Sequence, residues 1–214
     1  MTRPAWFVAI GLVAVVALGS ALAYGQLPDR VPTHWNIRGE VDGHGPRALA
    51  AFAVPAVLVG MLGLFAALPR LSPAQFALDD FRSTYGVIAN ITLAIFAFIQ
   101  AMTLLGALGY RFDMARWVVA GVLLGLGLMG NFLGRVRRNF FIGVRVPWTL
   151  ASERVWNETH RLAAWITCAG GLLGSAVALA GYPLVGLGLF LPLVAVPIVF
   201  SLVRYKQLEA RGEA

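Results

Sequence analysis

At 214 residues the chain has the length of an ordinary domain, but 59% of its residues are hydrophobic and only 13% are charged, too little polar surface for a globule in water. The single cysteine, Cys168, excludes an intramolecular disulfide and any zinc cluster built on cysteines. The formal net charge of +7 suggests nucleic acid, yet the bases lie in short segments between long apolar runs, which is how a membrane topology signal looks.

Taken in order, the uncharged runs are 5–27, 49–68, a stretch within 83–110, and 117–134, each close to the roughly 20 helical residues that cross a hydrocarbon core. The first has Arg3 before it and an Ala21-Leu22-Ala23 sequence that resembles a cleavage site. It is longer than a usual signal core and is read as an uncleaved helix. Residues 162–203 carry no formal charge at all, and as one helix would extend about 63 Å, about twice the core. Gly181-Tyr182-Pro183 supplies a turn there, because glycine tolerates positive φ and proline cannot donate to a continuing helix. The expectation is an all-α integral membrane protein, a bundle of six transmembrane helices. It divides into a half at 1–110 with a long loop at 26–48, and a half at 111–214 with a long loop at 135–161.

Alternate connections differ in charge. One side collects Arg3, Arg70, Arg82, Arg135, Arg137, Arg138, Arg145, Arg154, Arg161, Arg204, Lys206 and Arg211, twelve bases, and the other Arg30, Arg38, Arg47, Arg111 and Arg116, five. The positive-inside rule then places both termini and the 135–161 loop in the cytoplasm of a plasma-membrane protein. Within the spans, Gly121, Gly125, Gly130 and Gly134, with Gly170, Gly171 and Gly174, let helix backbones approach closely. Asn90, Gln100 and Asn131 are expected to hydrogen-bond between helices, with lining of a peptide or lipid groove as the alternative, and Pro55, Pro192 and Pro197 to kink theirs.

All ten acids and all three histidines fall outside these spans. That pattern argues against a proton-coupled pump or an intramembrane protease, whose chemistry needs ionisable groups at depth. Neither HExxH nor G-x-S-x-G occurs, so no enzyme and no cofactor is expected. His34, Asp42 and His44 in the first loop are ligand types for a metal, but their spacing matches no recognised ligand pattern. In the alternative reading His34 and Trp35 pack the loop on the helix ends and Asp42 caps a turn beside Gly43. In the second loop Thr149 is expected to cap a helix starting at Leu150 and running directly into span five. Trp148 and Trp156 are then expected at headgroup depth, and the arginines of that loop against anionic lipid.

The two loops carry a resemblance. Leu27-Pro28-Asp29-Arg30-Val31-Pro32-Thr33-His34-Trp35-Asn36, followed by Gly39 and Asp42, resembles the uncharacterised N-terminal domain common in the SdpI family of bacterial membrane proteins. Asn139, Gly143, Arg145, Pro147-Trp148-Thr149, Ser152, Val155-Trp156 and Thr159-His160-Arg161 resemble that family's C-terminal signature. The resemblance implies immunity against a secreted killing peptide, with sequestration of a small DNA-binding repressor at the inner face in some members. On that basis His34, Trp35, Asn36, Asp42 and His44 are candidates for meeting the peptide. The inner motif, including Glu153, is a brace for the bundle or a surface for a cytoplasmic partner. The lipid bilayer is the default partner, and no direct contact with nucleic acid is expected.

Three spans per half, each half with its long loop after its first helix, would make the second half an inverted copy of the first. Inverted repeats are a transporter device, so transport of a small solute or peptide is the alternative function. The charge asymmetry yields a direct test in a background lacking Cys168. A cysteine at Arg38 is expected to be labelled by an impermeant thiol reagent from outside, and one at Arg154 only after permeabilisation. The reverse pattern would overturn the assigned orientation.

Overall fold

The computed structural model describes residues 1–36 and 39–213; Arg38, counted above among the outer charges, lies outside the described residues. Six helical segments among them are long and apolar enough to cross a membrane: Arg3–Tyr24, Arg47–Leu71, Ala74–Ala107, Met114–Leu133, Glu153–Leu179 and Pro183–Glu209. The chain is a multi-pass membrane bundle. Helices α1 (Arg3–Tyr24), α2 (Arg47–Leu71), α3 (Arg82–Ala107) and α4 (Met114–Leu133) follow the expected order. A short α5 (Pro147–Ala151) then precedes α6 (Glu153–Leu179), and the last span comprises α7 (Pro183–Phe190), a 3-10 turn at Leu191–Val194 and α8 (Ala195–Glu209).

Local chemistry sets several of these boundaries. The Thr2 hydroxyl accepts from the Ala5 N–H at 3.4 Å with proline in the first turn of α1, and the Asp113 carboxylate accepts from the Arg116 N–H at 2.9 Å at the start of α4. These side chains satisfy amides that the first helical turn leaves without partners. Gly181 takes φ +99° and Pro183 opens α7, so the expected break in the long uncharged run is real. Pro192 lies in the 3-10 turn that interrupts the last span, where its missing N–H costs least.

The 26–48 loop is not irregular. It holds an antiparallel hairpin of β1 (Arg30–Trp35) and β2 (Val41–Pro46), pairing Arg30 with Pro46 and Trp35 with Val41, with irregular register around His34. Its tip folds towards α4: a Cβ placed on Gly39 would stand 3.2 Å from that of Ala115. Val31 and Leu27 are buried with Ala50, Ala51 and Ala107, which anchors the hairpin to α2 and α3.

Packing between α4 and α6 depends on glycine. A Cβ on Gly130 would fall 2.6 Å from the Cys168 backbone nitrogen, and one on Gly171 would fall 2.5 Å from the Gly127 Cα. Gly125 faces Ile95 and Gly121 faces Phe98 on α3, while Gly174 and Gly186 bring α6 and α7 together at backbone distance. In lipid such contact substitutes for the hydrophobic drive that water would supply. Two of the three polar residues expected to bridge helices do so: Asn90 Nδ2 donates to the Ala5 carbonyl at 3.1 Å, and Gln100 Nε2 lies 3.0 Å from both Ser20 Oγ and the Ala50 carbonyl. Asn131 is instead exposed, beside a surface hollow.

Gly130→Ala should destabilise the bundle by about 1–3 kcal/mol, the cost of overpacking a close contact. Gly63→Ala, on α2 with nothing within 4 Å of the new methyl, should be neutral or slightly stabilising. Unfolding in mixed detergent micelles measures both, and equal effects would refute a specific role for the α4–α6 contact.

Candidate functional site

The two long connections form two distinct sites at opposite ends of the bundle. At the hairpin end, β1, α2, α3, α4 and the start of α7 enclose a groove of about 650 Å³, a volume typical of ligand pockets. Thr33, His34, Trp35 and Asn36 form its rim. Its walls are Leu49, Ala53 and Val54 of α2, Ile99 and Thr103 of α3, Val118 and Val119 of α4, and Leu184 and Leu187 of α7. Gln100 also lines the groove and is only 1% exposed. Its amide nitrogen turns to the Ala50 and Ala51 carbonyls and to Ser20, which leaves Oε1 buried without a hydrogen-bond partner among the described residues.

Of the outer candidates, Trp35, His34 and Asn36 therefore come together at this rim. His34 Nδ1 is in hydrogen-bond contact with Asp42 Oδ1 across the hairpin, so Asp42 braces His34 instead of capping a turn. Asn36 Nδ2 donates to Glu40 Oε2 at 2.8 Å, and its carbonyl oxygen accepts from the Glu40 N–H at 3.0 Å. His44 sits on β2, exposed and opposite Pro32. Among the described residues no group of three or more His, Cys, Asp or Glu side chains is placed to hold a metal ion.

The arginine-rich end is a clasp. Asn139 is fully buried: its Nδ2 donates to the Arg137 and Ile142 carbonyls, and its Oδ1 accepts from the Phe141 and Ile142 amides at 2.7 and 2.8 Å. Gly143 follows at φ +107°, where a Cβ would also collide with the His160 ring. The Val144 N–H donates to His160 Nε2 at 3.0 Å, and His160 Nδ1 bonds the Trp156 carbonyl at 2.8 Å. That pair of bonds requires the neutral ring with its proton on Nδ1. Arg145 donates to the Phe140 carbonyl, and Thr149 Oγ1 both accepts from the Val146 N–H at 3.0 Å and approaches the Val144 carbonyl at 2.8 Å.

These bonds correct two expectations. Thr149 does not cap a helix starting at Leu150: α5 already begins at Pro147, and Ser152 ends it and caps α6 by accepting from the Val155 N–H. Helix α6 thus starts well before the uncharged run, and His160 lies inside it. Trp156 is not turned out to the headgroups but 0% exposed, with its ring stacked on His160 at 3.9 Å and its Nε1 donating to the Val136 carbonyl at 2.8 Å. It closes a core with Leu78, Phe81, Tyr85, Ile88 and Val136, which ties the first half of the chain to the second. Trp148 is half-buried and donates to Ser201 Oγ of α8 at 2.6 Å. Glu153 and Arg161 remain exposed on α6. Beside the same core, burial and then Arg82 hold the Met1 amine below its ordinary pKa, with Asp79 opposing.

The comparisons with known proteins fall on these two sites. Residues 135–203, the clasp with α6 to α8, match the model of the SdpI/YfhL protein family. This stretch of the chain is similar to that family. Residues 10–59, which include the hairpin, match a domain of unknown function, DUF1648, so the SdpI resemblance holds at both ends in the expected order. The chain is also similar to the immunity protein SdpI of Bacillus subtilis (strain 168), 25% identical over 166 residues that cover 78% of this chain and 77% of that one. No solved structure matches.

The sequence left Gln100 open to lining a groove as well as bridging helices, and it does both; it did not foresee Val136 and Val144 as backbone partners of the inner motif. Each meets its partner through residues far away along the chain, and the backbone groups carry no side-chain signal. Trp156→Ala should empty a buried site at a cost of about 3–5 kcal/mol and lower membrane abundance. Gly143→Ala should do the same by displacing His160, whereas Arg161→Ala should leave abundance unchanged. Quantitative blotting of membrane fractions checks all three.

Proposed function

We propose that this chain is a plasma-membrane immunity or sensor protein that protects its cell from a secreted antimicrobial peptide, and that the peptide is received in the groove beneath the hairpin. The observation that carries this reading is the groove itself. Its walls are apolar apart from Thr103, whose hydroxyl already bonds the Ile99 carbonyl, its rim holds His34, Trp35 and Asn36, and the buried Gln100 Oε1 is an acceptor without a donor among the described residues. An apolar peptide offers what these surfaces lack, hydrophobic area for the walls and N–H groups for the acceptor. The name of the Bacillus subtilis relative supports the same reading.

The orientation that goes with it has both termini and the clasp in the cytoplasm and the hairpin outside, in keeping with the twelve-to-five division of bases. The inner motif then acts as a brace, since Asn139, Arg145, Thr149, Trp156 and His160 all bond the chain's own backbone. The halves 1–110 and 111–214 are read as separate structural units that meet at the Trp156 core. No catalytic step is assigned to either end.

Trp35→Ala and Asp42→Ala are expected to abolish protection against the cognate peptide at normal membrane abundance, by removing a rim aromatic and by freeing His34. Gln100→Leu should weaken protection by at least the value of one buried hydrogen bond, about 1 kcal/mol or roughly fivefold. Survival of cells challenged with the peptide, at matched expression, reads all three. Full protection by both rim variants would refute a recognition role for the hairpin, and solute uptake into vesicles without any protection would favour a transporter.

A further inference from the structure

The geometry points to a second binding site, at the arginine-rich end between α4 and α6, for the phosphate of an anionic phospholipid headgroup. A hollow of about 270 Å³ there is lined by Asn131 and Arg135 on the α4 side and by Arg161, Ala164, Trp165 and Cys168 of α6.

Among the described residues neither arginine of this pair has an ion pair or hydrogen bond, a state shared by Arg137, and what distinguishes the pair is that both line one hollow. Arg154 is paired with Glu158 and Glu213, and Arg204 binds Glu158 through both Nε and a terminal nitrogen. Arg138 donates to the Leu150 carbonyl at 3.0 Å, Arg145 to the Phe140 carbonyl, Arg82 to Asp79 and Arg70 to the Ala66 carbonyl. Arg135 and Arg161 have neither an ion pair nor a hydrogen-bond acceptor among the described residues, and Arg135 is held only against the Phe132 ring at 5.7 Å. The Arg161 stem passes over Gly134, where a Cβ would stand 3.9 Å from its Cγ, so the small residue brings the second arginine close to the first. Glu153 and Glu158 line an adjoining hollow that shares Gly134 and Arg161 with this one, and Glu158 is already occupied by Arg154 and Arg204.

Two guanidinium groups and an asparagine amide are donors suited to a phosphate oxygen cluster. Free phosphate shares that chemistry, but the rest of the hollow favours a lipid. Trp165 is 79% exposed on α6 one turn beyond Arg161, inside the uncharged run 162–203. Ala164 and Cys168 continue the hollow with apolar area along which an acyl chain lies. Arginine at the interface with an aromatic just beneath it is the arrangement expected of a headgroup site. The site does not depend on the function proposed for the hairpin groove.

The test is native mass spectrometry of the full-length protein released from detergent with dioleoyl phosphatidylglycerol, dioleoyl phosphatidylcholine or inorganic phosphate as probe. The wild type should retain phosphatidylglycerol over phosphatidylcholine by about thirtyfold, the value of two arginine contacts near a membrane surface. R135Q/R161Q should lose that preference. R70Q/R211Q, with the same loss of net charge elsewhere at that end, should keep it. If the glutamine pair fails to fold, R135K/R161K preserves the charge and should still lose several-fold, because lysine cannot reproduce bidentate geometry. Unchanged retention in either variant of this pair would overturn the site. So would an equal loss in R70Q/R211Q, and so would displacement of the lipid by inorganic phosphate at equal concentration, which would make it a free-anion site.

Discussion

The arrangement depends on how the chain turns between α4 and α6. Backbone groups that leave a helix inside a packed core, as at Val136 and Asn139, have no water to turn to, and each one left bare there costs about 1–3 kcal/mol. Here side chains take that role. Asn139, Trp156, His160 and Thr149 between them bond the backbone at positions 136, 137, 141, 142, 144 and 146. The turn is thereby held rigid against the first two turns of α6, and the rotation of α6 about its axis is set before its transmembrane part begins.

That rotation matters for everything beyond it. It aims Gly171 and Gly174 at Gly127 and Gly186, so α6 touches α4 on one side and α7 on the other at backbone distance. The position of α7 in turn puts Leu184 and Leu187 into the wall of the hairpin groove. The two ends of the molecule are thus linked mechanically: the clasp places the helix that places the far wall of the groove. Trp156, in contact with the core formed by Leu78, Phe81 and Tyr85, extends that link to the N-terminal half.

The groove end is built on a different principle. The hairpin pairs its own backbone and needs only Val31 and Leu27 as anchors, which leaves His34, Trp35 and Asn36 available at the rim. Below them Gln100 secures α1 and α2 with its nitrogen while its oxygen goes unpaired, at a cost of about 1–3 kcal/mol. Under the proposed function a bound peptide would offset that cost, and the polar group would act as a selector within an otherwise apolar site.

The sequence by itself determined the class of protein, the six spans and the break at Gly181-Tyr182-Pro183, because hydrocarbon thickness and the conformational limits of glycine and proline act locally. It also marked both loops by their unusual length and by the residues that resemble the SdpI family. It did not show that one loop is a hairpin: Pro32 and three glycines weaken the strand signal, and the pairing depends on residues on both sides of the turn. Nor did it place Trp156, since an aromatic beside an arginine-rich loop suits either a headgroup layer or a core. Only the tertiary structure decided between them, by bringing the Val136 carbonyl within reach of the indole N–H and the first half of the chain against its ring. The unpaired oxygen of Gln100 and the unused charges of Arg135 and Arg161 are of the same kind. Whether a polar group has a partner is a property of the groups around it in space, which the order of residues along the chain does not record.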